Sequence, residues 1–170
     1  VLEIEDGAFA NNKSLTTLYI PNSVQKIGKG VFTSCTNLIS VEFESDSAIA
    51  MGEETFSGCT NLLNVTLPDK LIVIPKKTFF NCSSLASISC PNVTEIGDYG
   101  FDGCKSLENF VLSDKLTSVG EYSFCDTLIS SFTITSNMTV KPRAFLRATN
   151  LSKLTIKEGV EKIDVNVFMN

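Results

Sequence analysis

Eight phenylalanines stand at near-equal intervals along this chain: Phe9, Phe32, Phe56, Phe79, Phe101, Phe124, Phe145 and Phe168, with steps of 23, 24, 23, 22, 23, 21 and 23 residues. A fixed period of this length means one supersecondary unit copied many times, and it narrows the possible folds more than any other feature. Other positions keep the same phase. Five residues before each phenylalanine lies an apolar side chain: Ile4, Ile27, Met51, Ile74, Ile96, Val119, Val140 and Ile163. Six residues after it come Leu15, Leu38, Leu62, Leu85, Leu107 and Leu151. Nine and eleven after it come apolar pairs such as Leu18 and Ile20, Val41 and Phe43, or Leu154 and Ile156. The unit that begins at Phe124 is one residue short, and Ile129, Phe132 and Ile134 fill its matching places.

Apolar-x-apolar over three residues is the period-2 pattern of a short strand. Pro21, Pro68 and Pro91 follow such strands at once and keep them short. A helical or 3₁₀ turn is expected between the phenylalanine and the leucine. Gly28, Gly52, Gly97 and Gly120 follow the second apolar element, where a tight bend suits them. A unit of about 23 residues cannot bury its own apolar face, so neighbours must stack, with parallel strands about 4.8 Å apart. The expected fold is a leucine-rich repeat solenoid of about seven repeats of 21–24 residues, horseshoe-like, with short parallel strands and little regular helix. Residues 1–170 read as a single domain, because no linker interrupts the phase. Val1-x-x-Ile4 and Val160-x-x-Ile163 share one repeat phase. The expectation is a segment of a longer array, or ends covered by self-association.

The units CTNLISVEF, CTNLLNVTLPDKLIVIPKKTF, CSSLASISCPNVTEIGDYGF and CKSLENFVLSDKLTSVGEYSF resemble the BspA-like leucine-rich repeat family, and the resemblance covers essentially the whole chain. It implies a surface or secreted protein, with adhesion to host or microbial surfaces as the expected role. It brings no catalytic set to carry over.

The residue content excludes several classes. There is no histidine, which removes the commonest general base and the usual zinc enzymes. Net charge is −5, and the only arginines are Arg143 and Arg147, so the clustered positive charge that neutralises phosphates is missing and no nucleic-acid partner is expected. No apolar run is long enough to span a bilayer, and Val1-Leu2-Glu3 opens no signal peptide.

Six cysteines invite a disulfide reading, but Cys35, Cys59, Cys82 and Cys104 all lie three residues after a ladder phenylalanine. Asn12, Thr127 and Ala148 hold that place in other units, so it reads as a small core slot filled by free thiols. Cys90 replaces an inward strand residue, and Cys125 sits beside the shortened stretch. No Cys-x-x-Cys is present, and neither a metal nor a cofactor is expected.

What remains is the outward side of the strands. Tyr19, Glu42, Glu44, Thr66, Ser89, Val111, Thr133, Thr155, Lys153 and Lys157 form the candidate partner-binding strip, acidic at one end and basic at the other. Tyr99 and Tyr122 lie on the opposite sides and read as rim packing. Glu42 and Glu44 are the best acid–base pair available, but nothing in the sequence opposes them across a cleft. Asn12, Asn64, Asn81, Asn92, Asn137 and Asn150 each open an Asn-x-Ser/Thr triplet, which a eukaryotic secretory route could glycosylate. The function expected is a non-catalytic surface or secreted module that binds a protein or glycan. The alternative is a spacer or self-assembling segment with no dedicated ligand.

Overall fold

The computed structural model describes residues 2–169. Strands, numbered in chain order, alternate between two faces of a coil. One face carries β2 (Thr17–Ile20), β4 (Ser40–Phe43), β6 (Asn64–Thr66), β8 (Ser87–Cys90), β10 (Asn109–Leu112), β12 (Ser131–Ile134) and β14 (Lys153–Ile156). The other carries β1 (Leu2–Ile4), β3 (Val24–Ile27), β5 (Ala50–Met51), β7 (Val73–Ile74), β9 (Glu95–Ile96), β11 (Ser118–Val119) and β13 (Thr139–Val140). All pairings are parallel and keep the repeat register, as in Leu18↔Val41, Phe110↔Ile88 and Val119↔Ile96, apart from one shift between Leu2 and Glu3 where β1 meets β3. The second face was not legible as strand, because apolar-x-x-apolar is not a period-2 pattern. In β3 both ends are buried and both middle residues exposed.

The phenylalanine ladder forms one stack inside the coils. Consecutive rings from Phe9 to Phe168 lie 5.0–5.7 Å apart with interplanar angles of 6–18°. Phe32 through Phe145 are all buried, and Leu38, Leu62, Leu85 and Leu107 form a second buried column beside them. Rings this close in an offset stack add to the transfer free energy of burial.

The segment around each phenylalanine is not helical. Two positions per coil adopt the left-handed region, two residues before the ring and two after. Tyr99 and Gly103 flank Phe101 with φ of 60° and 75°, and Lys77 and Asn81 flank Phe79 with 56° and 57°. Each left-handed L-residue costs about 1–2 kcal/mol. The compensation is a further inter-coil ladder: Tyr99 N donates to Glu121 O (2.8 Å), Phe101 N to Ser123 O (2.8 Å) and Gly103 N to Cys125 O (3.0 Å). A helical turn would have kept those donors within its own coil.

The glycines after the second strand also differ from expectation. Gly28, Gly52, Gly97 and Gly120 do not have positive φ; they are places where backbones meet. A Cβ on Gly120 would lie 2.4 Å from Asp98 N and 2.5 Å from Gly97 C. Gly120→Ala should therefore force two coils apart and lower stability by about 1–3 kcal/mol, the usual range for overpacking. Urea unfolding of the variant checks this; an unchanged midpoint would show that the coils are not in contact there.

All six cysteines are buried and unbonded. The slot has a role beyond its size. Cys59 Sγ donates to Phe32 O (3.2 Å), Cys82 Sγ to Phe56 O (3.2 Å) and Cys104 Sγ to Phe79 O (3.1 Å), each time to the ladder residue of the preceding coil. Each of these carbonyls already accepts a backbone N–H from its own coil, as Phe32 O does from Cys35 N (3.2 Å), so the thiol adds a second bond that ties that turn to the next coil.

Candidate functional site

The outward strand residues lie where strand alternation puts them. Register aligns Tyr19 with Glu42 and Glu42 with Thr66, Ser89 with Val111, and Thr133 with Thr155. Tyr19, Glu42, Thr66, Ser89, Val111, Lys153 and Lys157 are exposed, whereas Glu44, Thr133 and Thr155 are half-buried. Among the outward residues of the strip, the apolar side chains are Tyr19 at 58% exposure and Val111 at 59%; Leu154 and Ile156 of β14 are exposed as well, but they continue the inward columns.

The strip is not one sheet. Hydrogen bonding groups the face as β2-β4-β6, β8-β10 and β12-β14. A shallow depression crosses β6, β8 and β10 at Asn64, Thr66, Ser89 and Val111. A second cleft of about 360 Å³ opens between β10 and β12, lined by Phe110, Leu112 and Phe132, with Asp114 and Lys157 at its rim. The shortened unit after Phe124 supplies one of its walls.

Glu42 and Glu44 do not form a catalytic pair. The Glu44 carboxylate accepts a hydrogen bond from Asn22 N (2.8 Å) and so ties one coil to the preceding turn. Tyr99 and Tyr122 stack at 5.0 Å, with Lys77 5.7 Å from the Tyr99 ring and Arg143 5.8 Å from that of Tyr122. Their faces are covered, which is packing at the rim.

One cluster escaped the sequence reading. Ligand-type atoms of Asp102, Cys125 and Asp126 lie within 4.8 Å of one another. Arg147 already occupies the charge partner's place, donating through Nε (2.7 Å) and Nη2 (2.5 Å) to Asp126. Burial, followed by the nearby Asp102 charge, pushes the Cys125 thiol up to about 12, so it stays protonated at neutral pH. The arrangement is an arginine–carboxylate bridge over a neutral thiol.

The fold is a parallel solenoid of leucine-rich coils, a scaffold type not associated with catalysis. The chain belongs to the BspA type leucine rich repeat family: six copies of that region match residues 2–92 and 91–170. Among solved structures it is similar to a leucine rich cell surface protein from Faecalibacterium prausnitzii, at 29% identity and a TM-score of 0.78, over 92% of this chain and 43% of that one. The chain thus spans less than half the length of that relative. A Treponema pallidum leucine rich repeat protein shares the fold at 24% identity and a TM-score of 0.74, over 90% of this chain and 73% of that one. A leucine-rich repeat protein from Eubacterium ventriosum does so at 20% and 0.59, over 99% and 59%. Comparison with curated proteins finds no significant match.

Proposed function

We propose that this chain is a non-catalytic binding module of a cell-surface or secreted protein, and that its even-numbered strands present the contact face to a protein or glycan. The observation that carries this reading is the pair of large apolar side chains, Tyr19 and Val111, held more than half exposed on an otherwise small, polar face. Neither contributes to the core, and exposed apolar groups on a rigid strand face need little further ordering when a partner covers them. The similarity to a cell surface protein supports the location.

The test is a panel of immobilised extracellular-matrix proteins and glycans, probed with the wild type, Tyr19→Ala and Val111→Asp. The expected result is binding to at least one member of the panel, weakened tenfold or more by Tyr19→Ala or Val111→Asp, which is about 1.4 kcal/mol per tenfold. A uniformly silent panel overturns the reading and leaves a spacer.

A further inference from the structure

The strand face has two joints without ladder bonds, and they differ. β6 and β8 stay packed side by side, while β10 and β12 draw apart around the cleft. At the intact joints the entering strand donates to the coil before it: Asn64 N to Ile39 O (3.2 Å), Asn109 N to Ala86 O (3.3 Å) and Lys153 N to Ser130 O (3.1 Å). Among the described residues, Ser131 N makes no such bond to Glu108 O; on this face the two coils are tied only before the strands, by Leu128 N to Leu107 O (3.0 Å), and the cleft opens beyond that bond.

The free groups can be assigned by parity. In a parallel ladder, alternate residues direct both N–H and C=O to the same neighbour. Ser130 O and Ile134 O accept bonds from Lys153 N and Lys157 N, so the even residues of β12 serve β14. The backbone groups of Ser131 and Thr133 therefore point into the cleft. On the other wall Asn109 serves β8, so those of Phe110 and Leu112 point in. An unpaired edge is a template for another strand, and here two edges that run parallel face one another.

The floor and the rim fit the same occupant. Phe110 and Leu112 are only half-buried, whereas their register partners Ile88 and Cys90 are buried. Half-buried Met138 adds to this apolar lining, and buried Phe132 lies beneath it. Asp114 and Lys157 stand at the rim, and neither has an ion-pair partner among the described residues.

We propose that the cleft receives an extended segment of a partner protein, inserted as an additional strand between β10 and β12. Alternate apolar side chains of that segment cover Phe110 and Leu112, and an acidic residue sits beside Lys157. A polypeptide fits where a glycan does not. It offers N–H and C=O in alternation to both edges, and side chains that reach an apolar floor. This inference rests on the binding reading above and narrows it to a protein partner.

The experiment selects a phage-displayed random dodecapeptide library on the whole chain and measures the synthesised winner by fluorescence anisotropy. Thr133→Pro removes a cleft-facing donor and leaves the β12–β14 ladder intact, since proline is tolerated on a free edge. Expected are winners with apolar residues at alternate positions and an acidic residue. Their affinity should drop at least tenfold for Thr133→Pro and for a peptide N-methylated at alternate residues, and several-fold for Lys157→Glu. The N-methylated peptide needs no protein variant, so it decides the matter even if Thr133→Pro folds poorly. No enrichment, or unchanged affinity after N-methylation, overturns the proposal. Panel binding that is lost in Tyr19→Ala but kept in Thr133→Pro overturns strand insertion alone and leaves the broader reading standing.

Discussion

Truncating Phe101 to alanine is expected to remove about 3–5 kcal/mol of stability, the range for deleting a buried aromatic ring. Phe101 sits mid-ladder, fully buried, 5.3 Å from Phe79, 5.6 Å from Phe124 and edge-on to Phe110 at 5.1 Å. Its loss leaves three rings facing a void that the inter-coil hydrogen bonds on both sides prevent from closing. Natural domains hold only about 5–15 kcal/mol in total, and a solenoid distributes that through nearest-neighbour contacts. The substitution therefore weakens the joints on both sides of one coil. Phe9→Ala is the internal comparison, because Phe9 is 42% exposed and has one stacked neighbour, Phe32. Urea unfolding should show a large fall in midpoint for Phe101→Ala and a much smaller one for Phe9→Ala. Equal effects would mean that the ring at 101 is not part of a dry stack.

The second large effect is alkaline unfolding. Burial pushes the Cys59 and Cys90 thiols up to about 12, and it raises those of Cys82 and Cys104 well above the ordinary thiol range. In the unfolded chain these thiols lose their protons near pH 8.5. The folded state keeps them, so above that pH the unfolded state binds fewer protons and stability falls as pH rises. The stabilisation is complete below about pH 8.5 and disappears as pH climbs towards 12. Each thiol contributes about 1.4 kcal/mol per pH unit within that window, so four together contribute about 5 kcal/mol per unit. Ionisation also removes the donor that Cys59, Cys82 and Cys104 supply to a ladder carbonyl. Urea midpoints at pH 8, 9 and 10 should be level at first and then fall steeply, before most lysines and tyrosines titrate. Midpoints that stay flat to pH 10 would place these thiols in contact with water.

The core was legible because burial repeats with the chain. Phe32, Phe56, Phe79 and Phe101 occupy one environment, and so do Cys35, Cys59, Cys82 and Cys104, so a shared phase identifies both columns. The ribbon around each ring was not legible. Its left-handed positions hold residues as different as Glu54, Lys77, Tyr99 and Arg143, because backbone bonding to the next coil fixes them rather than side-chain preference. The outward alternation of Tyr19, Glu42 and Thr66 follows from period 2 alone. The cleft does not follow from it. The missing residue after Phe124 is visible in the sequence, but its effect depends on whether β12 can still reach β10, and that is a question of three-dimensional closure. The bridge of Arg147 to Asp126 beside Cys125 also joins residues from neighbouring coils, and no short motif announces it.

The central claim is that equivalent residues of successive coils lie directly above one another, and ring-to-ring nuclear Overhauser effects in a protein with selectively labelled phenylalanine test it most directly. Ring centroids of Phe32, Phe56, Phe79, Phe101, Phe124 and Phe145 are separated by 5.3–5.7 Å from one to the next. Stacked coils give an unbroken series of cross-peaks linking each ring to those one repeat before and after it. Rings without such partners, or linked only to residues near them in sequence, would contradict it.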